Sequence, residues 1–172
     1  GLEAEAPPLP SYEIVMATCD GGRFLVEQLD SLGHQTVPPS RLIVVDDASR
    51  DNTLAQLEAW TRRTGLPVTL LPRRTRQGSR ASFGQALAAT HARYVFLCDQ
   101  DDHWERDKAE ALLRRMGCLE ACHGPDTPLL VHSDLRLIDA TGGVRHASFH
   151  RHQNLHPRRD GLLDRSEEHT SE

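Results

Sequence analysis

The chain has 172 residues and a formal net charge of −5, with 20 Lys and Arg against 25 Asp and Glu, so a strongly basic nucleic-acid-binding protein is not expected. Hydrophobic residues make up 38% of the sequence, which is enough for a packed core and argues against wholesale disorder. The longest apolar runs, residues 14–17 and 42–45, are far shorter than the ~20 residues that span a bilayer, so no transmembrane segment is expected in this chain.

The first part of the sequence predicts strands and helices in alternation. Residues 1–11 are expected to be a flexible leader, because three prolines interrupt regular structure there. Short runs rich in Val, Ile and Leu are typical of buried strands, and apolar residues three and four apart are typical of amphipathic helices. In chain order we predict a strand at 12–17, a helix of about ten residues from Phe24, a strand at 41–45, a helix with the apolar face Leu54, Leu57 and Trp60 that ends at Gly65, and a strand at 68–71.

The second part of the sequence continues the alternation. In chain order we predict a helix with Phe83, Leu87 and Thr90 on one side, a strand at 94–98, a helix at 105–116, a strand at 129–132 and a turn with two glycines at 139–143. Strands that alternate with helices are most simply arranged as parallel neighbours joined by helical crossovers. We therefore predict an α/β fold with a mostly parallel central sheet and helices on both faces.

The four cysteines, Cys19, Cys98, Cys118 and Cys122, are unevenly spaced. This spacing favours free thiols in a reducing compartment over a disulfide framework. A cytoplasmic protein is therefore expected, either free or peripheral at the inner face of the cell membrane. Cys118 and Cys122 lie close to His123, but no second ligand pair accompanies them, which favours a helix end over a zinc site.

The last eight residues, 165–172, differ in character from the rest of the chain. They match the in-frame translation of a common sequencing-library adapter, and a chance match of this length is improbable. We therefore treat 165–172 as an artefact tail and predict one domain over residues 12–164 that is incomplete at its C-terminus.

Acidic residues follow two of the predicted strands. Asp46 and Asp47 come after the second strand, and Asp99 and Asp101 come after the fourth. In an open α/β sheet, ligands bind outside the carboxyl ends of the strands, and carboxylates crowded there repel one another unless a cation lies between them. Such oxygen ligands suit Mg²⁺ or Mn²⁺ that bridges a diphosphate. Trp104, which follows these acids, either packs beneath them or borders an acceptor site.

A basic segment at residues 73–80 contains four arginines. One interpretation is a solvated loop. The other is that one arginine, Arg80 at the start of a helix, faces a nucleotide or its phosphates.

These motifs together resemble the family 2 glycosyltransferases, which have the GT-A nucleotide-diphospho-sugar-binding fold. The resemblance covers about residues 12–158 and is specific because separate motifs occur in the family's order. It is closest to the rhamnosyltransferase-like members, whose Cys/Ser-Asp-Gln-Asp-Asp-x-Trp motif matches residues 98–104. The matching stretches are 16–25, 27–32 with 35–36, 45–53, 77–83, 97–108 and 132–135.

The resemblance implies a role for particular residues of this chain. Asp47 would accept a hydrogen bond from a ring nitrogen of the base, which suits uracil or thymine. Asp99 and Asp101 would form the Asp-x-Asp pair, with Asp101 in direct contact with Mg²⁺ or Mn²⁺. The residues implied at the nucleotide are Ala17, Thr18, Asp47, Arg80 and Asp99, and those implied at the metal are Asp101 and Asp99.

The reaction implied by the resemblance is an inverting displacement. A sugar, with rhamnose as one candidate, would pass from a dTDP- or UDP-sugar to a saccharide or lipid-linked saccharide acceptor, as in cell-surface polysaccharide synthesis. The sequence departs from the family at Cys19 and Asp20, where an aromatic residue and Asn are usual. The family's catalytic base lies further downstream, and Asp134 and Asp139 match other positions better, so no catalytic base is assigned.

Two other interpretations stay open from the sequence. The chain could be a nucleotide-sugar-binding fragment without turnover, because the region of the catalytic base is missing. It could also be a Mg²⁺-dependent phosphotransferase or receiver-like domain. A receiver domain, however, has an acid pair after its first strand and a lysine after its fifth. Here the first strand ends in Ala17 and Thr18, and the sole lysine, Lys108, lies on a predicted helix.

Overall fold

The computed structural model describes residues 8–138, 143–148, 151 and 153. Strands and helices alternate through most of this range, as the apolar patterning predicts. The elements are β1 (Glu13–Thr18), α1 (Leu25–Gly33), β2 (Arg41–Asp46), α2 (Thr53–Thr64), β3 (Val68–Pro72), α3 (Ser79–Ala88), β4 (Val95–Asp99), α4 (Lys108–His123), β5 (Leu137–Ile138) and β6 (Val144–His146).

The first four strands form one sheet in the order β3-β2-β1-β4, and every pair in it is parallel. The central strands β1 and β2 are buried along nearly their whole length, which explains their continuous apolar sequences. Because the strands are parallel, their carboxyl ends meet at one edge of the sheet. The register pairs Thr18 with Asp46, and Ala17 with both Val45 and Asp99.

Helices cover both faces of the sheet, as predicted. One face packs against α1, α2 and α4 through residues such as Leu29, Trp60 and Leu113. The other face, which includes Val15 and Ile43, packs against α3. Alternate residues of β1 and β2 supply the two cores, because successive strand side chains point to opposite faces. The α/β class with a parallel sheet is therefore confirmed.

The contacts divide the chain into a larger unit that ends at Leu129 and a smaller one that begins at Leu130. The larger unit contains the parallel sheet and its four helices. In the smaller unit, β5 and β6 form an antiparallel pair in which Leu137 lies opposite His146. Among the described residues, no helix combines the length and the apolar composition of a membrane-spanning helix.

Two sequence predictions differ from the structure. The predicted strand at 129–132 is wrong: these residues are irregular, and Leu130 is 65% exposed. A short apolar run becomes a strand only where another strand offers hydrogen bonds, and the local pattern does not report that partner. The predicted helix at 105–116 begins later, at Lys108, and continues to His123. Residues 1–7 of the leader, 139–142 of the predicted turn and the tail at 165–172 lie outside the described residues.

Gly65 ends α2 in the left-handed conformation, with φ of 70°, and its amide donates a hydrogen bond to the Thr61 carbonyl. An alanine Cβ there would meet no atom within 4 Å, so its cost is conformational. We expect Gly65→Ala to lower the free energy of unfolding by about 1 kcal/mol, measured by urea denaturation.

Gly84 provides the matched control, because it lies inside α3 and its added Cβ would also meet no atom within 4 Å. Gly84→Ala is expected to raise the free energy of unfolding by about 0.5–1 kcal/mol. Equal effects of the two substitutions would contradict the assignment of Gly65 as a left-handed helix cap.

Candidate functional site

The candidate site lies at the carboxyl edge of the parallel sheet, where the loops after β1, β2, β3 and β4 begin. The strand register alone brings Ala17, Thr18 and Asp99 side by side at this edge. Asp47 continues directly from β2, and its backbone amide donates to the Thr18 carbonyl at 2.8 Å. Four of the predicted site residues therefore lie together, while Arg80 lies in the first turn of α3.

Asp46 faces the protein interior, and its carboxylate connects the end of β1 with the loop after β2. Its carboxylate accepts hydrogen bonds from the Thr18 hydroxyl at 2.8 Å, from the Ser49 amide at 2.9 Å and from the Ser49 hydroxyl at 2.5 Å. Asp46 is 1% exposed and Thr18 is 2% exposed. The Thr18 hydroxyl therefore has its proton engaged within the protein.

Asp47 holds the start of the basic segment. Its Oδ1 accepts from the Gln77 amide at 2.8 Å and from Arg73 Nη1 at 3.2 Å, and its Oδ2 accepts from the Gly78 amide at 2.8 Å. Burial acts to raise the pKa of Asp47, but the two amides and the Arg73 guanidinium outweigh it and hold the pKa below its ordinary value. An ionised carboxylate accepts about four hydrogen bonds, so among the described residues one acceptor position of Asp47, on Oδ2, is left, although Asp47 is only 4% exposed.

Arg73 is the residue of the basic segment that sequence reasoning missed. Besides Asp47, its guanidinium donates to the Ala81 carbonyl at 2.8 Å, to Ser82 Oγ at 3.3 Å and to Gln85 Oε1 at 2.8 Å. Its side chain is only 9% exposed. Arg73 follows β3 directly, and the parallel pairing of β2 with β3 brings it beside Asp47, which is the signal that could have singled it out.

The predicted nucleotide-facing arginine, Arg80, is exposed. Within the described part of the chain, its side chain makes no hydrogen bond or ion pair. Arg76 instead forms an ion pair with Asp20 in the loop after β1. Asp20 has a positive φ of 50°, and its Oδ1 also accepts from the Arg50 amide at 2.7 Å. Asp20 thus connects the loops that follow three strands.

The loop between β1 and α1 presents four successive backbone N–H groups, an arrangement that often binds phosphate. Here each of them donates to a side chain of the protein, so they are not available to a diphosphate. The four bonds are Cys19 to Gln100 Oε1 at 2.8 Å, Asp20 to Ser49 Oγ at 2.9 Å, Gly21 to Thr53 Oγ1 at 3.0 Å and Gly22 to Asp51 Oδ2 at 2.9 Å.

Gly22 shows how closely these loops approach one another. A Cβ on Gly22 would lie 2.1 Å from Asn52 Oδ1 and 2.9 Å from Asp51 Oδ2. A glycine at this position lets the loops after β1 and β2 make direct hydrogen bonds.

Three carboxylates follow β4 at the same edge. Asp99 and Asp101 are exposed and Asp102 is half-buried. Partial burial raises the pKa of Asp99, and the negative charge of Asp101 raises it further. Burial also raises the pKa of Asp102, although Lys108 opposes the shift. A cation held by Asp99 and Asp101 would relieve this repulsion.

In the described residues, no three His, Cys, Asp or Glu side chains converge into a group that could hold a metal ion. At the end of β4, Asp99 and Asp101 would therefore supply only two carboxylate ligands to a divalent ion. A divalent ion bound there would complete its coordination with ligand oxygens and water, as is usual for Mg²⁺ beside substrate phosphates.

Trp104 packs into the core beside the acidic loop, in agreement with the first of the two alternatives for it. It is 2% exposed and belongs to the core. Its ring lies 5.7 Å from the Phe96 ring between centroids, and Lys108 Nζ lies 4.5 Å from the centre of the Trp104 ring. The Trp104 amide donates to Ser31 Oγ at 3.1 Å, so the segment after the carboxylates is anchored on α1.

All four cysteines are free thiols in the structure, as the spacing predicts. Cys98 lies in β4 directly before Asp99, and its sulfur accepts a hydrogen bond from Gln28 Nε2 at 2.6 Å. Burial raises the pKa of the Cys98 thiol well above its ordinary value. Cys98 is therefore a packing residue with little thiolate character.

Comparisons with known proteins identify the family. The model of glycosyl transferase family 2 matches residues 13–121. The amylovoran biosynthesis glycosyltransferase AmsB of Erwinia amylovora is 25% identical over 74% of this chain and 42% of its own length. The putative teichuronic acid biosynthesis glycosyltransferase TuaG of Bacillus subtilis is 29% identical over 62% of this chain and 42% of its own length. The chain thus spans less than half the length of these curated relatives.

Solved structures of glycosyltransferases share the fold. The mannosyltransferase PcManGT from Pyrobaculum calidifontis, in complex with GDP-Man and Mn²⁺, matches with a TM-score of 0.56 and 25% identity over 60% of this chain and 31% of that one. TarS 1–349 of S. aureus, in complex with UDP, matches with a TM-score of 0.55 and 24% identity over 66% and 32% of the two chains. These matches confirm the expected GT-A fold. Because the family model covers more than half of the sequence, this chain belongs to glycosyl transferase family 2.

Proposed function

We propose that this chain binds the donor for a transferase that moves a sugar from a dTDP- or UDP-sugar to a saccharide or lipid-linked saccharide acceptor, as in cell-surface polysaccharide synthesis. The observation that carries the proposal is one edge of the sheet. That edge presents Asp47, with one acceptor position left, together with the exposed pair Asp99 and Asp101. The names of AmsB and TuaG point to the same kind of biosynthesis.

In this proposal Asp47 recognises the base. Its remaining acceptor position suits the ring N–H of uracil or thymine, and the lowered pKa of Asp47 keeps the carboxylate ionised at neutral pH. Ala17 and Thr18 would contact the nucleotide from the end of β1, where the Thr18 carbonyl accepts a hydrogen bond from the Asp47 amide. TarS is solved with UDP and PcManGT with GDP-Man, so the choice of uracil or thymine rests on Asp47, and rhamnose as the sugar stays a prediction.

Asp99 and Asp101 would hold Mg²⁺ or Mn²⁺, with Asp101 in direct contact. When bound, the metal supplies positive charge that stabilises the leaving diphosphate. The Mn²⁺ complex of PcManGT supports this use of a divalent ion. Since the loop amides of residues 19–22 are occupied by side chains, recognition of the diphosphate falls to the metal and to exposed arginines such as Arg80. The inverting displacement itself also needs a catalytic base, which is not assigned.

Calorimetric titration of the chain with nucleoside diphosphates tests this function. With Mn²⁺ present, UDP or dTDP is expected to bind at least about tenfold more tightly than ADP or CDP, because uracil and thymine carry a ring N–H that a carboxylate can accept, whereas the corresponding ring nitrogens of adenine and cytosine carry no hydrogen. When Mn²⁺ is removed with a chelator, the heat of UDP or dTDP binding is expected to fall to the background heat of dilution. Equal affinity for all four nucleotides, or affinity that does not depend on Mn²⁺, would contradict the proposal.

A nucleotide-sugar-binding role without turnover is the second candidate, because Asp47, Asp99 and Asp101 lie at one edge of the sheet while no catalytic base is assigned among the described residues. Release of UDP or dTDP from the nucleotide sugar separates the two. Tight Mn²⁺-dependent binding of the nucleotide sugar with no release, in the presence of saccharide acceptors, supports this binding role.

A further inference from the structure

We propose that Gln100, which lies between the two predicted metal-binding aspartates, is a positioning residue that fixes Asp99 and Asp101 relative to the loop after β1. The inference rests on the proposed donor-binding function, because it concerns the carboxylates that would hold the metal. Gln100 itself touches neither nucleotide nor metal in this proposal.

The side-chain amide of Gln100 makes two hydrogen bonds to one backbone residue. Its Oε1 accepts from the Cys19 N–H at 2.8 Å, and its Nε2 donates to the Cys19 carbonyl at 3.2 Å. The last backbone pair between β1 and β4 is Ala17 with Asp99. Gln100 therefore satisfies both polar groups of Cys19, as a neighbouring strand would, just after the main-chain ladder has ended.

Because the side chain of Gln100 makes these hydrogen bonds, the main chain after β4 can turn away from β1 and still be held beside the loop after β1. Asp99 is the last residue of β4, and Asp101 lies in the turn that begins at Gln100. Among the residues that the structure describes, the Asp101 side chain makes no hydrogen bond that would hold it. The two carboxylates repel each other before a cation binds, and the side chain of Gln100, which lies between them in the chain, supplies an anchor to the loop after β1.

Gly21 provides an independent observation for the same role. An added Cβ on Gly21 would lie 2.4 Å from Gln100 Oε1 and 2.9 Å from Gln100 Cδ. The space beside Cys19 accommodates the amide only because residue 21 has no side chain. No positive φ accompanies Gly21, so an alanine there would act by displacing the Gln100 amide.

Three variants test the proposal: Gln100→Met, which keeps the length but neither hydrogen bond, Gly21→Ala, and the double variant. The measurement is Mn²⁺ affinity in the presence of UDP, by electron paramagnetic resonance, at a temperature at which circular dichroism shows every variant folded. Each single variant is expected to bind Mn²⁺ about tenfold more weakly. The double variant is expected to match Gln100→Met, because the alanine then has no amide to displace.

Gly84→Ala is the matched control and is expected to leave Mn²⁺ affinity unchanged, since its methyl group meets no atom. If the unaltered chain binds Mn²⁺ with UDP and Gln100→Met binds it equally well, the positioning role is overturned while the proposed function stands. Effects of Gly21→Ala and Gln100→Met that add up would also overturn it. If the unaltered chain binds no Mn²⁺ with UDP, the proposed function fails, and this inference falls with it.

Discussion

Replacing Asp101 by asparagine is expected to weaken Mn²⁺-dependent binding of UDP by at least about 100-fold, because the amide removes one of two charged oxygen ligands. The fold should not change. Asp101 is exposed, and within the described residues its side chain makes no hydrogen bond. The measurement is calorimetric titration of UDP with and without Mn²⁺, beside a thermal melt.

Asp126→Asn is the matched control for this prediction, since Asp126 is an exposed aspartate remote in sequence from the acidic loop. It is expected to leave both UDP affinity and the melting temperature unchanged. Mn²⁺-dependent affinity that survives in Asp101→Asn would remove Asp101 from the metal site.

Replacing Asp47 by alanine is expected to lower the free energy of unfolding by about 3 kcal/mol. The substitution leaves two loop amides and the Arg73 guanidinium without their acceptor. It is also expected to weaken UDP binding while the remaining binding still depends on Mn²⁺, because the proposed metal ligands are Asp99 and Asp101 and not Asp47. Urea denaturation measures the first effect, and calorimetry, at a temperature at which the variant is folded, measures the second.

The stability difference should depend on pH in a defined direction. The pKa of Asp47 is lower in the folded state than in the unfolded state. The ionised carboxylate therefore stabilises the fold fully at pH values above the pKa of an unfolded aspartate, about 4. This stabilisation is lost as the pH falls through the lowered pKa that Asp47 has in the folded state. The difference in the free energy of unfolding between Asp47→Ala and the unaltered chain should therefore be constant near neutral pH and shrink below about pH 4. A difference in the free energy of unfolding between Asp47→Ala and the unaltered chain that widens in acid would refute the ionised state assigned to Asp47 in the folded protein.

The framework of the fold could be predicted from the sequence because it depends on local patterns. Short Val- and Ile-rich runs such as 41–45 mark buried parallel strands, and the face containing Leu57 and Trp60 marks a helix. The position of Gly65 predicts the end of α2 because a left-handed conformation there favours glycine. The same kind of pattern at 129–132 misleads, since hydrogen bonding to another strand decides whether such a run becomes a strand.

For the candidate site, the sequence predicts which residues lie at one edge of the sheet. It does not predict the contacts that each of them makes there. Asp46 and Asp47 are neighbours with identical side chains, yet Asp46 binds Thr18 and Ser49 while Asp47 binds the segment after β3. Contacts such as Gln100 with Cys19 join positions far apart in the chain, and no local periodicity reports them. The sequence likewise does not distinguish the arginine that anchors a loop from the arginine that is exposed.

Hydrogen bonds within the protein connect the loops at this edge. Side chains of Ser49, Asp51 and Thr53 hold the amides after β1, and Asp47 holds those after β3. Such preorganisation lowers the conformational entropy that binding would otherwise cost. We therefore expect the donor site to change little in backbone conformation when a nucleotide binds.

A crystal structure of this chain with UDP and Mn²⁺ tests the central claim most directly. The proposal predicts an anomalous Mn²⁺ peak within coordination distance of an Asp101 oxygen and of the diphosphate. It also predicts the uracil ring N–H within hydrogen-bond distance of Asp47 Oδ2. Clear density for UDP and Mn²⁺ away from both aspartates would contradict the account.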